Sequence, residues 1–226
     1  MLFPKRFTKL MKSEPSKPKP RNLWVVDESK CLTESELKKL RAFCSQAKEV
    51  GLVKRKFTPV RDWFMVELGL NTGLRVSEMA SLRCSSLFID DERCSLFVIG
   101  KGNKPRSVWI SREFKQICRS YFRYKKLFGY STEGDGFILN NLSGERISRR
   151  ALQKSFTKIL AKAGLPKRYH IHNLRHTYAT FLLEASKHNY RFVQKQLGHA
   201  SIKTTEVYAS VLESKARKAI EKMFNH

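Results

Sequence analysis

The chain has 226 residues and carries 45 Lys and Arg against 20 Asp and Glu, a formal net charge of +25 at pH 7. Hydrophobic residues make up 41% of the sequence, which favours a packed core over global disorder. So large a positive excess opposes a compact state unless a polyanion neutralises it, which favours nucleic acid as partner over an anionic membrane. No apolar run approaches the ~18 residues of a membrane span, and the N-terminus lacks the hydrophobic segment of a signal peptide. We therefore expect a cytoplasmic, nucleoid-associated protein that does not bind membranes.

The cysteines are odd in number and scattered, and none forms a C-x-x-C pair. This pattern disfavours a zinc ribbon and a disulfide framework. We expect reduced thiols, most of them small core residues. They are Cys31, Cys44, Cys84, Cys94 and Cys118.

The N-terminal half is predicted to be a flexible arm followed by helices. Residues 1–30 are basic and rich in proline, which is typical of a mobile segment. Thr33 and Glu36 form a capping-box pattern that opens a helix. The predicted apolar face of this helix comprises Leu37, Leu40, Ala47 and Val50. A second helix is predicted over 59–70, ending at Asn71-Thr72-Gly73, and a short third one over 76–82.

The middle of the chain changes from helical to strand periodicity. Runs rich in β-branched and aromatic residues occupy 87–89, 95–99 and 107–110, with a two-residue turn predicted at Gly102-Asn103. Further helices are predicted near 112–128, 148–163, 173–185, 190–197, 202–209 and 213–224, with a brief extended segment at 137–139. The predicted fold is therefore α+β, mainly α, with one small three-stranded antiparallel sheet.

Positive charge is concentrated in two blocks. Residues 101–126 hold nine Lys or Arg against one acid, and residues 146–175 hold nine with no acid. Solvated helix faces usually mix the two signs of charge. We interpret the blocks as the walls of a phosphate-binding channel.

Two short segments place single cations where a phosphate would fit. Arg75 lies in the turn between an apolar helix and the next helix start, where backbone amides and a guanidinium suit an anion. The alternative is an ordinary ion pair between Arg75 and Glu78. Lys101 and Lys104 flank the predicted hairpin turn and would reach into a groove, although exposed hairpins also carry lysine for solubility.

The segment 170–176 combines histidine and arginine on a predicted helix. His172 and Arg175 are three residues apart and share a face. The opposite face is predicted to be a buried stripe of Leu174, Tyr178, Phe181 and Ala185. This places His172 off the core, as a base beside an anion-binding arginine, whereas the alternative is a hydrogen-bonded core histidine. Zinc is disfavoured because no Glu or Cys stands at matching spacing.

These segments together resemble the tyrosine recombinase (phage integrase) family. The resemblance rests on 72–78, 100–104, 172–176 and 197–199, followed by Tyr208, and it extends over about residues 32–212 in order, spacing and local structure. His199 stands at a corner between two predicted helices. By resemblance, the catalytic positions of the family fall on Arg75, Lys101, His172, Arg175, His199 and Tyr208.

The resemblance implies a DNA strand transferase. Tyr208 would attack a DNA phosphodiester to give a 3′-phosphotyrosyl link, which keeps the bond energy for religation during integration, excision, inversion or resolution. His172 would take the phenol proton, and Lys101 would protonate the leaving 5′ oxygen. Arg75, Arg175 and His199 would stabilise the charged phosphorane. Neither a metal nor an organic cofactor is required by this chemistry.

The resemblance also implies partners and a domain organisation. We expect a catalytic domain over 31–212 and a C-terminal helix over 213–226. This helix is expected to be donated to the neighbouring protomer in the DNA-bound assembly and to pack on its own domain in the free monomer, and the alternative is packing on its own domain throughout. The expected partners are double-stranded DNA and accessory DNA-bending proteins, with a monomer in the free state and a homotetramer on two DNA sites.

A basic, proline-rich segment of only some thirty residues precedes the first predicted helix, where many family members carry a helical DNA-binding domain. In this respect the chain is similar in size to the short recombinases that invert fimbrial promoter segments. Two alternatives stay open at this point. One is a type IB topoisomerase-like enzyme that nicks and reseals DNA, and the other is a non-catalytic DNA-binding regulator with the same fold.

Overall fold

The computed structural model describes residues 30–90, 94–100 and 102–198. The predicted N-terminal arm (apart from Lys30), the predicted helices at 202–209 and 213–224, and the candidate site residues Lys101, His199 and Tyr208 lie outside the described residues. The described elements are α1 (Glu34–Val53), α2 (Phe57–Thr72), α3 (Val76–Ser81), β1 (Leu87–Phe88), β2 (Ser95–Ile99), β3 (Pro105–Trp109), α4 (Arg112–Leu127), α5 (Arg149–Lys162), α6 (Ile171–Ala185) and α7 (Tyr190–Leu197). A single 3₁₀ turn, Cys84–Ser86, precedes β1. The predicted fold class, mainly helical with one small antiparallel sheet, is confirmed.

Helix α2 is the centre of the core. It is apolar on nearly all sides, as expected for a helix that is surrounded by other elements. It packs against α1, α4, α5 and α6, and the ring of Phe64 stacks on that of Tyr121 from α4 with 3.9 Å between centroids. Because α2 ends at Thr72, this buried helix fixes the position of the turn that follows it, at residues 73–75.

Helix α1 begins as predicted and buries most of the predicted face, with an exception near its C-terminal end. Thr33 and Glu36 form the capping box, with the Thr33 amide donating to Glu36 Oε2 at 2.8 Å. Leu40 is buried, whereas Val50 is 47% exposed. Cys44 and Gly51 continue the buried face instead. The prediction for Val50 is wrong because the helical period carries the stripe past it to Gly51, which packs against Pro59.

The three strands pair in the order β1-β2-β3, all antiparallel. Ile99 pairs with Pro105, and the Gly100 amide donates to the Lys104 carbonyl at 2.9 Å. Three residues therefore separate the paired positions Gly100 and Lys104, and the predicted two-residue turn is one residue too short. The observed register places Leu96 and Val98 opposite Val108 and Arg106 on one face, whereas a two-residue turn would shift the pairing by one residue and separate them.

Two smaller predictions have different outcomes. The extended segment at 137–139 makes only isolated bridges, from Phe137 to Arg83 and from Asn140 to Arg146, while Ile138 and Leu139 are fully buried. All five cysteines are free thiols and Cys44, Cys84 and Cys118 are buried, which confirms the expectation that most are core residues. Among the described residues, no helix is both long enough and apolar enough to cross a bilayer.

Candidate active site

The turn after α2 leads to Arg75 at the start of α3. Gly73 has φ +60°, and a Cβ at this position would lie 2.7 Å from the Leu197 side chain and would also meet the ring of Tyr178. Glycine therefore serves both the left-handed backbone and the close packing of α2 on α6 and α7. The next residues enter α3, with Arg75 at its N-cap position.

Arg75 makes both the ion pair considered as an alternative and a second, longer-range contact. Its amide donates to Glu78 Oε2 at 2.8 Å and its Nη1 donates to Glu78 Oε1 at 3.0 Å. Its Nη2 donates to the Gly198 carbonyl at 3.3 Å. The ion pair with Glu78 thus orients Arg75 toward the end of α7.

Arg175 is buried, with 6% of its surface exposed. Its Nη1 donates to the Gly73 carbonyl at 2.6 Å and its Nη2 donates to the Leu197 carbonyl at 2.9 Å. One guanidinium therefore joins the end of α2 to the end of α7.

The predicted buried stripe of α6 is wrong in part. Leu174 is buried, but Ala185 is exposed, and Ala179 and Leu183 occupy the buried face instead. His172 and Arg175 are one turn apart on α6, with His172 exposed and Arg175 buried. The arginine is drawn inward because the ends of α2 and α7 offer it carbonyl acceptors.

Three arginines from three elements converge on the C-terminal end of α7. The carbonyls of Gln196, Leu197 and Gly198 accept hydrogen bonds from Arg106, Arg175 and Arg75, respectively. The last carbonyls of a helix lack intrahelical partners and lie at the negative end of its dipole, so guanidinium groups are suited to this place. The arrangement concentrates positive charge directly before position 199.

His172 lies in the same electrostatic environment. It is exposed on α6, yet partial burial and the positive charges of Arg175, Arg75 and His170 lower its pKa below the usual value. The imidazole is therefore neutral at pH 7 and able to accept a proton. The alternative of a hydrogen-bonded core histidine does not fit its exposure.

The structure thus brings Arg75, His172 and Arg175 together. Lys104, at the end of the hairpin turn, is exposed. The turn itself is joined to the site through β3, because Arg106 of β3 bonds to Glu78 and Gln196.

Glu78 and Arg106 also belong to this site, where they pair with each other, and the sequence motifs did not indicate this pair. Arg106 Nη1 and Nη2 donate to the two Glu78 carboxylate oxygens at 2.8 and 2.9 Å. Burial raises the pKa of Glu78, but the hydrogen bonds and charges of Arg106 and Arg75 outweigh it and hold this pKa below its usual value. Strand alternation was the available signal, since it places Arg106 on the same face as the buried Val108.

Some cations of the first basic block do not face the outside of the molecule. Lys115 and Lys125 are buried and donate to the carbonyls of Asp90 and Phe137. Arg106 is held by Glu78, as described. A lysine can pack its long apolar stem inward and bond its ammonium to a carbonyl, so a high count of cations does not define one surface.

A cleft beside α3 carries other cations. It has a volume of about 470 Å³ and is lined by Ser77, Arg146, Ile147, Ser148 and Arg149. It adjoins the first turn of α3, close to Arg75. Within the described residues, no group of three or more His, Cys, Asp or Glu is placed to hold a metal ion.

The sequence profile of the Phage integrase family matches residues 30–215. The chain belongs to this family. Tyrosine recombinase XerC of Proteus mirabilis is 39% identical over 149 residues, which are 66% of this chain and 47% of the relative. XerC of Escherichia coli O157:H7 is 40% identical over the same length, with 48% of that relative covered. The chain thus spans about half the length of the relatives it matches.

Solved structures of integrase-family proteins have the same fold. The XerA recombinase superposes with a TM-score of 0.67 and 26% identity, covering 87% of this chain and 65% of that chain. The XerH site-specific recombinase, in a post-cleavage complex with palindromic difH substrate, superposes with a TM-score of 0.67 and 24% identity, covering 84% of this chain and 52% of that chain.

Proposed function

We propose that the protein is a site-specific DNA recombinase that cleaves and rejoins strands through a 3′-phosphotyrosyl link on Tyr208. The observation that carries this proposal is the attachment of Arg75 and Arg175 to the consecutive carbonyls of Gly198 and Leu197. Two guanidiniums fixed side by side are suited to the two non-bridging oxygens of one phosphodiester. Family membership over residues 30–215, a range that includes Tyr208, supports the same function.

Charge stabilisation is the main task of the arginines. Attack on phosphorus gathers negative charge on the non-bridging oxygens, and fixed donors stabilise that charge without reorganisation. Arg175 is held by two carbonyls and Arg75 by Glu78 and Gly198, so both guanidiniums are preorganised. The loss of one such donor commonly costs ~10²–10³-fold in rate.

Proton transfer falls to the remaining candidate residues. A phenol with a pKa near ~10 is a poor nucleophile at pH 7 unless a base takes its proton during attack. His172, with its lowered pKa, is the base in this proposal, and Tyr208 is the nucleophile. Lys101 is the general acid for the leaving 5′ oxygen, and His199 is a further donor to the phosphate.

The proposed partner is double-stranded DNA inside the cytoplasm. A net charge of +25 and the Arg146–Arg149 cleft next to α3 support binding to a polyanion. We further propose a monomer in the free state and a homotetramer on two DNA sites, assisted by DNA-bending proteins. In this assembly residues 31–212 are the catalytic domain, 1–30 a DNA-binding arm and 213–226 an exchanged helix.

The proposal is tested by covalent capture. The wild-type protein is incubated with a pool of nicked duplexes whose central segment is randomised, so that a cleaved end dissociates and the adduct accumulates. An adduct that survives heating in detergent is expected for wild type and for the control Tyr130→Phe, which removes a hydroxyl bonded to Leu142 in the described structure. Tyr208→Phe should give none. A wild-type protein without any adduct would contradict the proposal.

A second measurement separates recombination from nicking and resealing. Two copies of a captured site are placed on one supercoiled plasmid, and the products are sequenced. Joined ends from the two sites are the expected result. Relaxed plasmids without exchange would instead favour the topoisomerase-like alternative.

A further inference from the structure

We propose that Arg106 is a positioning residue of the site, acting on Arg75 through Glu78 and on the end of α7 through Gln196. The inference rests on the proposed function and extends it to a residue outside the candidate catalytic set. It starts from the fact that Arg106 is on β3, whereas its partners are on α3 and α7.

Arg106 makes a two-pronged ion pair in a nearly closed environment. Its side chain is 11% exposed and that of Glu78 is 4% exposed. The two N–H···O bonds, at 2.8 and 2.9 Å, run from both terminal nitrogens to both carboxylate oxygens. Such parallel bonds fix the relative orientation of the two groups as well as their distance. The pair therefore sets the distance between β3 and α3.

Glu78 receives four hydrogen bonds, two from Arg106 and two from Arg75. A buried carboxylate with Arg75 as its sole cationic partner would attract that guanidinium strongly, since charge interactions are strong at low dielectric. Arg106 neutralises Glu78 from the other side. The positive charge of Arg75 is then available to a phosphate, and its guanidinium can also reach the Gly198 carbonyl.

The end of α7 is fastened to β3 at the same place. Arg106 Nε donates to the Gln196 carbonyl at 3.4 Å. The Gln196 side chain in turn accepts from the Trp109 amide at 3.1 Å and donates to the Trp109 carbonyl at 2.6 Å. Residues of β3 thus hold both the backbone and the side chain of Gln196, two positions before Gly198.

Gly198 provides independent support for this tight arrangement. Its φ is +66°, and a Cβ there would lie 2.8 Å from Cδ and 2.9 Å from Nε of Arg106. The stem of Arg106 therefore crosses directly over Gly198, the residue that caps the C-terminal end of α7. This contact sets where the chain leaves α7 toward His199.

Arg106 is more suited to positioning than to direct contact with DNA. Its Nη1 and Nη2 both donate to the Glu78 carboxylate, which neutralises its charge, and its Nε donates to the Gln196 carbonyl. The terminal nitrogens of Arg175 instead donate to uncharged carbonyls, which do not neutralise its positive charge toward a phosphate. Its loss should consequently change the rate of cleavage and leave the phosphate contacts of binding unchanged.

The test compares Arg106→Ala, Arg106→Lys and Arg61→Ala in single-turnover cleavage of a nicked duplex captured by the wild-type protein. Arg61 is the matched control because its side chain is also buried, at 7% exposure, and pairs with Asp62 away from the site. Arg106→Ala should cleave ~10²-fold more slowly, the scale of a displacement of about 1 Å in a catalytic group. Arg106→Lys, which keeps the charge but not the fork, should fall in between, and Arg61→Ala should cleave at the wild-type rate below its melting temperature.

A modified substrate distinguishes positioning of Arg75 from a general loss of structure. Replacing one non-bridging oxygen of the scissile phosphate by methyl removes the charge that Arg75 stabilises. On this methylphosphonate substrate, the ratio of the wild-type cleavage rate to that of Arg106→Ala should fall to less than about tenfold. A merely structural defect would slow both substrates equally, and that result would overturn the inference.

Two further readouts complete the design. The salt dependence of DNA binding should keep its slope in Arg106→Ala, because a lost phosphate contact would reduce the slope by about one. Amide hydrogen exchange at Trp109 and Gly198 should accelerate. A reduced slope, or unchanged exchange at both amides, would contradict positioning by Arg106.

Failure of the inference differs from failure of the proposed function. A wild-type protein that cleaves no duplex refutes the proposed function and the inference with it. A wild-type protein that cleaves, together with an Arg106→Ala variant that cleaves equally well, refutes the inference alone.

Discussion

At the scale of single residues, His176 shows how the site affects stability. It lies one turn along α6 from His172, and burial together with the charges of His172, Arg175 and Lys30 lowers its pKa to about 4. An unfolded chain would bind a proton at this histidine near pH ~6.5. Between these two values the unfolded state holds a proton that the folded state does not, so stability falls as the pH falls.

We therefore predict that the free energy of unfolding declines from about pH 6.5 to about pH 4, by on the order of 2–3 kcal/mol from His176 alone. His176→Asn should remove this part of the decline, as measured by urea denaturation across the pH range. His188→Asn is the matched control because His188 is exposed, and it should retain the wild-type pH dependence. If the free energy of unfolding of His176→Asn declined with falling pH as steeply as that of the wild type, His176 would not be the source of the decline.

Gly198 gives a second residue-scale prediction. Both Gly198 and Gly102 have positive φ, +66° and +74°, but a Cβ at Gly102 meets nothing within 4 Å, whereas one at Gly198 meets Arg106. Each alanine variant bears a left-handed strain of roughly 1–2 kcal/mol. Gly198→Ala should lose more stability than Gly102→Ala, because it also displaces Arg106 from Glu78. If thermal denaturation showed the same loss of stability in both variants, the displacement of Arg106 would not destabilise the fold, and the prediction would be wrong.

The sequence was informative about residues whose partners are close along the chain. The turn at Gly73, the Thr33–Glu36 capping box and the Arg75–Glu78 pair all depend on spacings of a few residues. The contact from Arg106 to Glu78 spans 28 residues, and its contact to Gln196 spans 90. Such contacts depend on the tertiary fold, and therefore on information that periodicity does not contain.

At the scale of elements, α4 shows where charge patterns mislead. Its sequence carries many cations, yet Lys125 is only 1% exposed and donates to the Phe137 carbonyl. Burial lowers the pKa of Lys125, although its contact with Cys84 opposes that change. Its role is to join α4 to the extended segment at 137–139.

We predict that Lys125→Met folds with nearly wild-type stability, because an apolar side chain of similar length often replaces a buried charge without loss. Its affinity for DNA should fall no more than that of Lys126→Met, the neighbouring exposed lysine, which removes the same formal charge. Fluorescence anisotropy with a labelled duplex measures both variants. If Lys125→Met lost more affinity than Lys126→Met, Lys125 would be a DNA-binding residue and this prediction would be wrong.

Element boundaries show the same contrast between local and tertiary control. Helices were predicted within a few residues because apolar periodicity and caps mark them, as at Ser111 and Ser148, whose side chains cap α4 and α5. The hairpin turn was predicted one residue too short, because a favourable Gly-Asn pair does not by itself define the register of the strands. The packing of Leu96, Val98 and Val108 into the core decides the register instead.

At the scale of the whole molecule, the net charge of +25 favours a polyanion as partner, because so large an excess of one sign opposes a compact state unless it is neutralised. Not every cation of the basic blocks is exposed, because Lys115 and Lys125 are buried and Arg106 is paired with Glu78. Arg146 and Arg149 line the cleft beside α3.

We predict a strongly salt-dependent DNA affinity. If about 6–10 phosphates are contacted, affinity should fall ~10³–10⁵-fold between about 50 and about 200 mM salt. Arg149→Ala should reduce the slope by about one, whereas Lys38→Ala, an equal loss of charge on α1, should leave it unchanged. A flat salt response in wild type would contradict binding through the phosphate backbone.

The most direct test of the account is to identify the amino acid that carries the DNA. Adducts from the nicked duplex pool are digested with nuclease and protease, and the nucleotide-bearing peptide is sequenced by tandem mass spectrometry. We predict one modified residue, Tyr208, bearing a 3′-linked nucleotide, and an adduct that forms ~10²–10³-fold more slowly after Arg175→Gln, because the fixed guanidinium at Leu197 is lost. A nucleotide on any other side chain, or formation of the adduct at the wild-type rate in Arg175→Gln, would contradict this assignment.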